Sequence, residues 1–200
     1  MNRSIATIVA FAAISSAHAA GDPAKAQGIV KQACAACHGI DGNSPLSANP
    51  SLAGQHPEYL LKQLAEFKSG ARTNPVMTGM VANLSADDMS NLAAYYSSQT
   101  PKQMGAKDKD LVAQGRKLYH GGNASNSVAA CAGCHSPNGS GIPAQYPRLA
   151  SQHADYTAAQ LKAFRAGDRA NDANQMMRAT AAKLTDKEIA ALADYISGLH

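Results

Sequence analysis

A five-residue pattern, Cys34-Ala35-Ala36-Cys37-His38, returns 97 residues later as Cys131-Ala132-Gly133-Cys134-His135, and the repeat extends well beyond it. At the same offset, Pro50-Ser51-Leu52-Ala53 matches Pro147-Arg148-Leu149-Ala150, and Gln55-His56 matches Gln152-His153. Tyr59, Gln63-Leu64, Phe67, Gly70, Arg72 and Asn74 match Tyr156, Gln160-Leu161, Phe164, Gly167, Arg169 and Asn171. The offset then becomes 100, pairing Leu84, Ser85, Asp88, Leu92-Ala93 and Tyr95 with Leu184, Thr185, Glu188, Leu192-Ala193 and Tyr195. A three-residue insertion in the second half explains the change. So dense a register implies one fold written twice. It predicts a first domain over residues 20–100, then a linker and second domain over 101–200, the linker lying near Ser98–Ala106 with Pro101 and Gly105. Halves this short have little core of their own, and a large buried cofactor in each would add to it.

The local signals are helical throughout. Asp22-Pro23 is a cap followed by proline at the first helical position, and its counterpart opens near Asp108. Pro57–Ser69 and Ala154–Ala166 read as amphipathic helices stopped by Gly70 and Gly167. Ser85 with Asp88, and Thr185 with Glu188, form capping boxes ahead of a last helix in each half. No segment alternates convincingly as a strand, so the expected class is all-α. Gly28 and Gly115, in matching Ala-Gln-Gly triplets, are expected to let the first helix of each half approach Tyr95 or Tyr195 closely.

Two cysteines spaced by two residues on a helical turn can each form a thioether to a haem vinyl group, leaving the adjacent histidine beneath the ring to bind iron. That is the c-type haem attachment signal, and here it stands twice inside a repeat. It predicts two haem c groups, held by Cys34 and Cys37 and by Cys131 and Cys134, with His38 and His135 on the irons. A redox dithiol would need a thioredoxin-like βαβ setting, which the helical pattern denies. A shared zinc site would have to bring distant cysteine pairs together.

The sixth iron ligand decides whether each site is closed for electron transfer or open for chemistry. Met77 and Met177 each lie seven residues before a matched leucine, and methionine ligation raises the reduction potential and closes the iron. Met80 also matches Met177 if the gap falls later, and Met176 adjoins Met177; these and Met104 are otherwise core methionines. The repeated His56 and His153 are rival ligands, although their places at helix starts suit capping or surface roles. Pro50 and Pro147, twelve residues after the haem histidines, are placed to offer a carbonyl to the imidazole Nδ1–H. Arg72 and Arg169 are candidates to pair with haem propionates. His120 and His200 have no repeat partner and receive no role.

Residues 1–19 read as a signal peptide, with Arg3, the apolar run Ile5–Ile14 and the small-residue site Ala17-His18-Ala19. A chain so exported would ordinarily use four cysteines for disulfides, but their placement in the two motifs points to haem. Without the signal the charges are 17 basic and 14 acidic, too mild a balance for nucleic acid. Residues 20–100 carry 5 basic and 6 acidic side chains, and 101–200 carry 12 and 8, so the protein is expected to be dipolar with a basic C-terminal half.

Cys34-Ala-Ala-Cys-His-Gly39, Asp41-Gly42-Asn43-Ser44, Leu52-Ala-Gly-Gln55, Met77-Thr-Gly-Met80, Cys131-Ala-Gly-Cys-His135, Met177-Arg178 and the ending Tyr195-Ile-Ser-Gly-Leu-His200 together resemble the dihaem cytochrome c4 family over essentially the whole mature chain. The resemblance implies two tandem class I cytochrome c domains, each wrapped around a covalent haem. It implies axial pairs His38 with Met77 and His135 with Met177. It further implies a periplasmic carrier taking electrons from a redox protein donor towards a terminal oxidase, with loose membrane association in some members. The competing reading is a dihaem enzyme, such as a peroxidase or a thiosulfate-oxidising cytochrome, which would need an open iron and a polar distal pocket. No acid/base cluster of that kind stands out. A fixed subunit of a larger respiratory complex is a third possibility.

Overall fold

The computed structural model describes residues 21–200; the expected signal peptide lies outside them. Among the described residues the chain is helical, with two isolated β-bridges in place of any strand. The first half contains α1 (Pro23–Ile29), α2 (Ala35–His38), α3 (Pro57–Ser69), α4 (Pro75–Val81) and α5 (Ala86–Ser97). The second contains α6 (Lys109–Gly121), α7 (Ala132–His135), α8 (Ala154–Ala166), α9 (Met176–Ala181) and α10 (Asp186–Ser197). A π-helical turn over Val30–Cys34 joins α1 to α2 without a break. In the second half the loop 122–131 intervenes between α6 and α7.

The helix boundaries follow the local chemistry. The Asp22 carboxylate accepts from the Ala24 amide ahead of Pro23, and the Asp108 carboxylate accepts from Asp110 and Leu111. Both capping boxes are formed reciprocally, Ser85 with Asp88 and Thr185 with Glu188. Gly70 and Gly167 adopt left-handed conformations, φ 82° and 83°, where α3 and α8 end. The three-residue insertion is the 3₁₀ turn Ala173–Gln175 immediately before α9, which brings Met77 and Met177 into correspondence near the starts of α4 and α9.

Each half builds its own core. Ala26, Val30, Leu60, Leu92, Ala93 and Tyr96 pack where α1 and α3 lie on α5. Tyr119, Val128, Leu184, Ile189, Leu192 and Ile196 pack where α6 and α8 lie on α10. Gly115 sits at the α6–α10 crossing, where a Cβ would stand 2.1 Å from the Ala191 carbonyl oxygen and 2.5 Å from Tyr195 Cβ. The matching expectation for Gly28 fails. Gly28 faces open space, and the buried crossing residue of α1 is Ala26. The Ala-Gln-Gly triplets are therefore two residues out of structural register. Ala26 precedes the buried Val30 by four residues, as Gly115 precedes the buried Tyr119.

Candidate functional site

Between the halves lies a continuous cavity of about 1230 Å³, lined by Cys34, Cys37, His38 and Met77 from one side of the repeat and by Cys131, Cys134, His135 and Met177 from the other. It exceeds the roughly 300–1,000 Å³ of an ordinary small-molecule pocket. Its walls are largely hydrocarbon, including Leu60, Phe67 and Leu92 in the first half and Leu161, Phe164 and Leu192 in the second. Two thiols, an imidazole and a thioether inside an apolar wall fit a covalently attached haem in each half.

Both histidines are buried and held alike. The Nδ1 of His38 lies 2.9 Å from the carbonyl oxygen of Pro50, and that of His135 lies 2.9 Å from Pro147. A carbonyl only accepts, so Nδ1 must carry the proton and Nε2 keeps its lone pair for a metal. Burial holds both imidazoles below their usual pKa, keeping them neutral. Burial also pushes the free Cys34 thiol up and that of Cys131 up to about 11. The four cysteines form no disulfides.

The methionines separate by exposure. Met77 and Met177 are half-buried, while Met80 and Met176 are 42% and 41% exposed. The Met77 amide donates to Asn74 Oδ1 at 3.0 Å, fixing the start of α4. On α9 the anchor is Asp172, which accepts from the Arg178 amide at 2.9 Å and from its Nε at 2.7 Å. Burial opposes charge on Asp172, but these bonds to Arg178 outweigh it and hold the carboxyl below its ordinary pKa. His56 and His153 do not line the cavity; they stand at the N-cap positions of α3 and α8 without a side-chain cap bond, and His153 Nε2 lies 2.9 Å from the Ser44 carbonyl.

Arg72 and Arg169 do line the cavity, and they also tie the halves together. Arg72 donates to Gln63 at 2.7 Å, to Gln160 at 2.9 Å and to the Tyr156 hydroxyl at 3.1 Å. Arg169 mirrors it, donating to Gln160 at 2.8 Å, Gln63 at 3.2 Å and the Tyr59 hydroxyl at 3.0 Å. Each guanidinium also stacks on its own domain's phenylalanine, Phe67 or Phe164, at 4.6 and 4.4 Å from the ring centroid. Tyr59, Gln63, Tyr156 and Gln160 recur in the sequence, but only the fold shows that each accepts from the arginine of the other half.

The Cytochrome c family model matches twice, over residues 23–100 and 112–200. Cytochrome c4 of Azotobacter vinelandii is 49% identical with all of both chains covered, and cytochrome c4 of Pseudomonas aeruginosa is 51% identical with 92% of each covered. The chain belongs to the cytochrome c4 family. The crystal structure of reduced recombinant cytochrome c4 from Pseudomonas stutzeri superposes with a TM-score of 0.87 at 48% identity, covering 90% of this chain and all of that one. A more distant relative, named thiosulfate dehydrogenase electron acceptor in Stutzerimonas stutzeri, is 38% identical over 84% of this chain and 79% of its own. The protein is thus a dihaem electron-transfer cytochrome with two haem c groups, built as two tandem all-α cytochrome c domains.

Proposed function

We propose that Cys34 and Cys37, and Cys131 and Cys134, carry the thioether bonds, that His38 and Met77 bind one iron, and that His135 and Met177 bind the other. The observation that carries this reading is the paired arrangement of a buried histidine, aimed by a proline carbonyl, and a half-buried methionine lining the same apolar cavity. Haem supplies the one-electron iron couple. The chain's part is to fix each imidazole by its Nδ1–H, to keep water from the ring with the apolar wall, and to close the sixth position with a thioether, which raises the potential.

We further propose that the carrier works in the periplasm, receives electrons from a redox protein and passes them towards a terminal oxidase, with peripheral membrane association. The basic C-terminal half supports an acidic docking partner. Among the described residues no helix is long and apolar enough to cross a membrane. Mixing the reduced protein with oxidase-containing membranes tests the acceptor: reoxidation in step with oxygen uptake is expected, and none would reject it. A second reading follows from the relative named as a thiosulfate dehydrogenase electron acceptor, with the donor being a dehydrogenase of sulfur compounds. Its lower identity places it second. Reduction of the protein by thiosulfate alone, without a dehydrogenase, would instead favour an enzyme.

A further inference from the structure

The peptide group that holds each haem histidine is gripped from the opposite domain. The Pro50 carbonyl that accepts from His38 belongs to the same amide as the Ser51 N–H, and that N–H donates to Gln152 Oε1 at 2.8 Å. In the mirror arrangement, the Pro147 carbonyl accepts from His135, and the Arg148 N–H of that amide donates to Gln55 Oε1 at 2.8 Å. Both grips are two-pronged: Gln152 Nε2 donates to the Ser51 carbonyl at 3.0 Å, and Gln55 Nε2 donates to the Arg148 carbonyl at 2.9 Å. Each glutamine is also moored to its own helix start, because its Oε1 accepts from the next residue's amide, His56 at 3.0 Å or His153 at 3.1 Å.

An amide whose N–H donates a hydrogen bond carries more negative charge on its oxygen, so bonds in such a chain strengthen one another. A stronger acceptor at Nδ1–H makes the imidazole more basic and a better donor to iron. That stabilises the ferric state and lowers the potential. We propose that Gln55 and Gln152 are reciprocal positioning residues, each setting from the neighbouring domain the hydrogen bond that holds the other domain's haem histidine. The proposal rests on the reading that His38 and His135 bind iron. It makes the interface a coupling device: a change in domain docking, such as contact with a partner, reaches both irons through one peptide group each.

The test is a redox titration of the full dihaem protein followed by NMR, with haem methyl signals assigned to each domain by proximity to Phe67 or Phe164. Gln152→Met removes the acceptor for Ser51. It should raise the potential of the haem beside Phe67 and leave the one beside Phe164 in place. Gln55→Met should do the reverse. A shift at the haem of the mutated domain, an equal shift at both haems, or no shift overturns the proposal. Ser47→Ala is the control for loosened docking, because it deletes the 2.5 Å bond from Ser47 to Asp155 and touches neither proline peptide. It should move neither potential, and a shift as large as that of the glutamine variants would also overturn the proposal. If Gln152→Met fails to fold, Gln152→Glu retains an acceptor and a stronger one, and should lower the first haem's potential more than the second's; equal lowering overturns it. The ligand reading has its own check in the unmodified ferric protein, where absence of hyperfine-shifted ring signals from His38 or His135 would reject it whatever the glutamines do.

Discussion

Alanine at Gly115 and alanine at Gly28 should have opposite effects, although the two glycines occupy matching triplets. At Gly115 the new Cβ would lie 2.1 Å from the Ala191 oxygen, 2.5 Å from Tyr195 Cβ and 2.8 Å from the Ala191 carbonyl carbon. Carbon–oxygen contacts of this kind settle at roughly 3.3–3.6 Å, so α6 and α10 must part by about 1 Å at the crossing. No flexible side-chain end is available to yield, and the buried Tyr119 lies one turn further along α6. Overpacking of this kind costs about 1–3 kcal/mol. The gain in helix propensity returns about 1 kcal/mol, leaving a net loss of up to about 2 kcal/mol. At Gly28 nothing stands within 4 Å, so only the backbone gain of about 0.5–1 kcal/mol applies. Guanidinium unfolding of the haem-loaded variants, followed by far-UV circular dichroism, measures both. In a chain of this size each kcal/mol moves the thermal midpoint by about 2–4 °C. A stabilising Gly115→Ala, or a destabilising Gly28→Ala, would refute the register drawn between the two helix crossings.

Ser136 follows His135 with φ 68° and ψ 153°, where the first repeat has Gly39 after His38. Ser136→Gly should stabilise the second domain by about 1 kcal/mol, because relief of about 1–3 kcal/mol of backbone strain exceeds the roughly 1 kcal/mol hydroxyl bond to Gly141; an unchanged or lower denaturation midpoint would contradict this. The depressed pKa of Asp172 contributes stability that is fully present above its unfolded value of about 3.9 and is lost as pH falls through the lower folded value. Asp172→Asn should therefore be less stable at neutral pH and flatten the acid unfolding curve below about pH 4, and an unaltered curve would refute the clamp. Tyr119→Phe deletes a 2.7 Å bond to the Ser136 carbonyl and should cost about 0.5–1.5 kcal/mol by denaturant titration, with no measurable cost counting against it.

The helices, their caps and the two repeated Cys-x-x-Cys-His turns were legible because each is written locally. Asp22-Pro23, the capping boxes and the Cys-x-x-Cys-His spacing carry their physics within a few residues. The proline carbonyls were also accessible, since a twelve-residue spacing returns a loop to the same histidine. What crosses between domains was not. Gln55 and Gln152 were visible as repeated residues, but nothing local distinguishes a glutamine that grips the other half from one on the surface. The same holds for Arg72 and Arg169, whose repeat suggested a shared role towards the cofactor without revealing that each reaches a tyrosine of the other domain. Gly28 misled because identical triplets need not share a helix face, and the loop 122–131 shifts the second half's first helix relative to its motif.

The central claim is that both haem sites are closed by a histidine and a methionine. The most direct measurement is the weak far-red absorption of the oxidised protein, which a methionine–iron bond gives in ferric haem, quantified per haem. The intensity of two such bonds is expected, half of it lost in Met77→Ala and half in Met177→Ala. Half the intensity or none in the unmodified protein would mean an iron that is open or bound by another side chain, and would contradict the assignment of two closed electron-transfer sites.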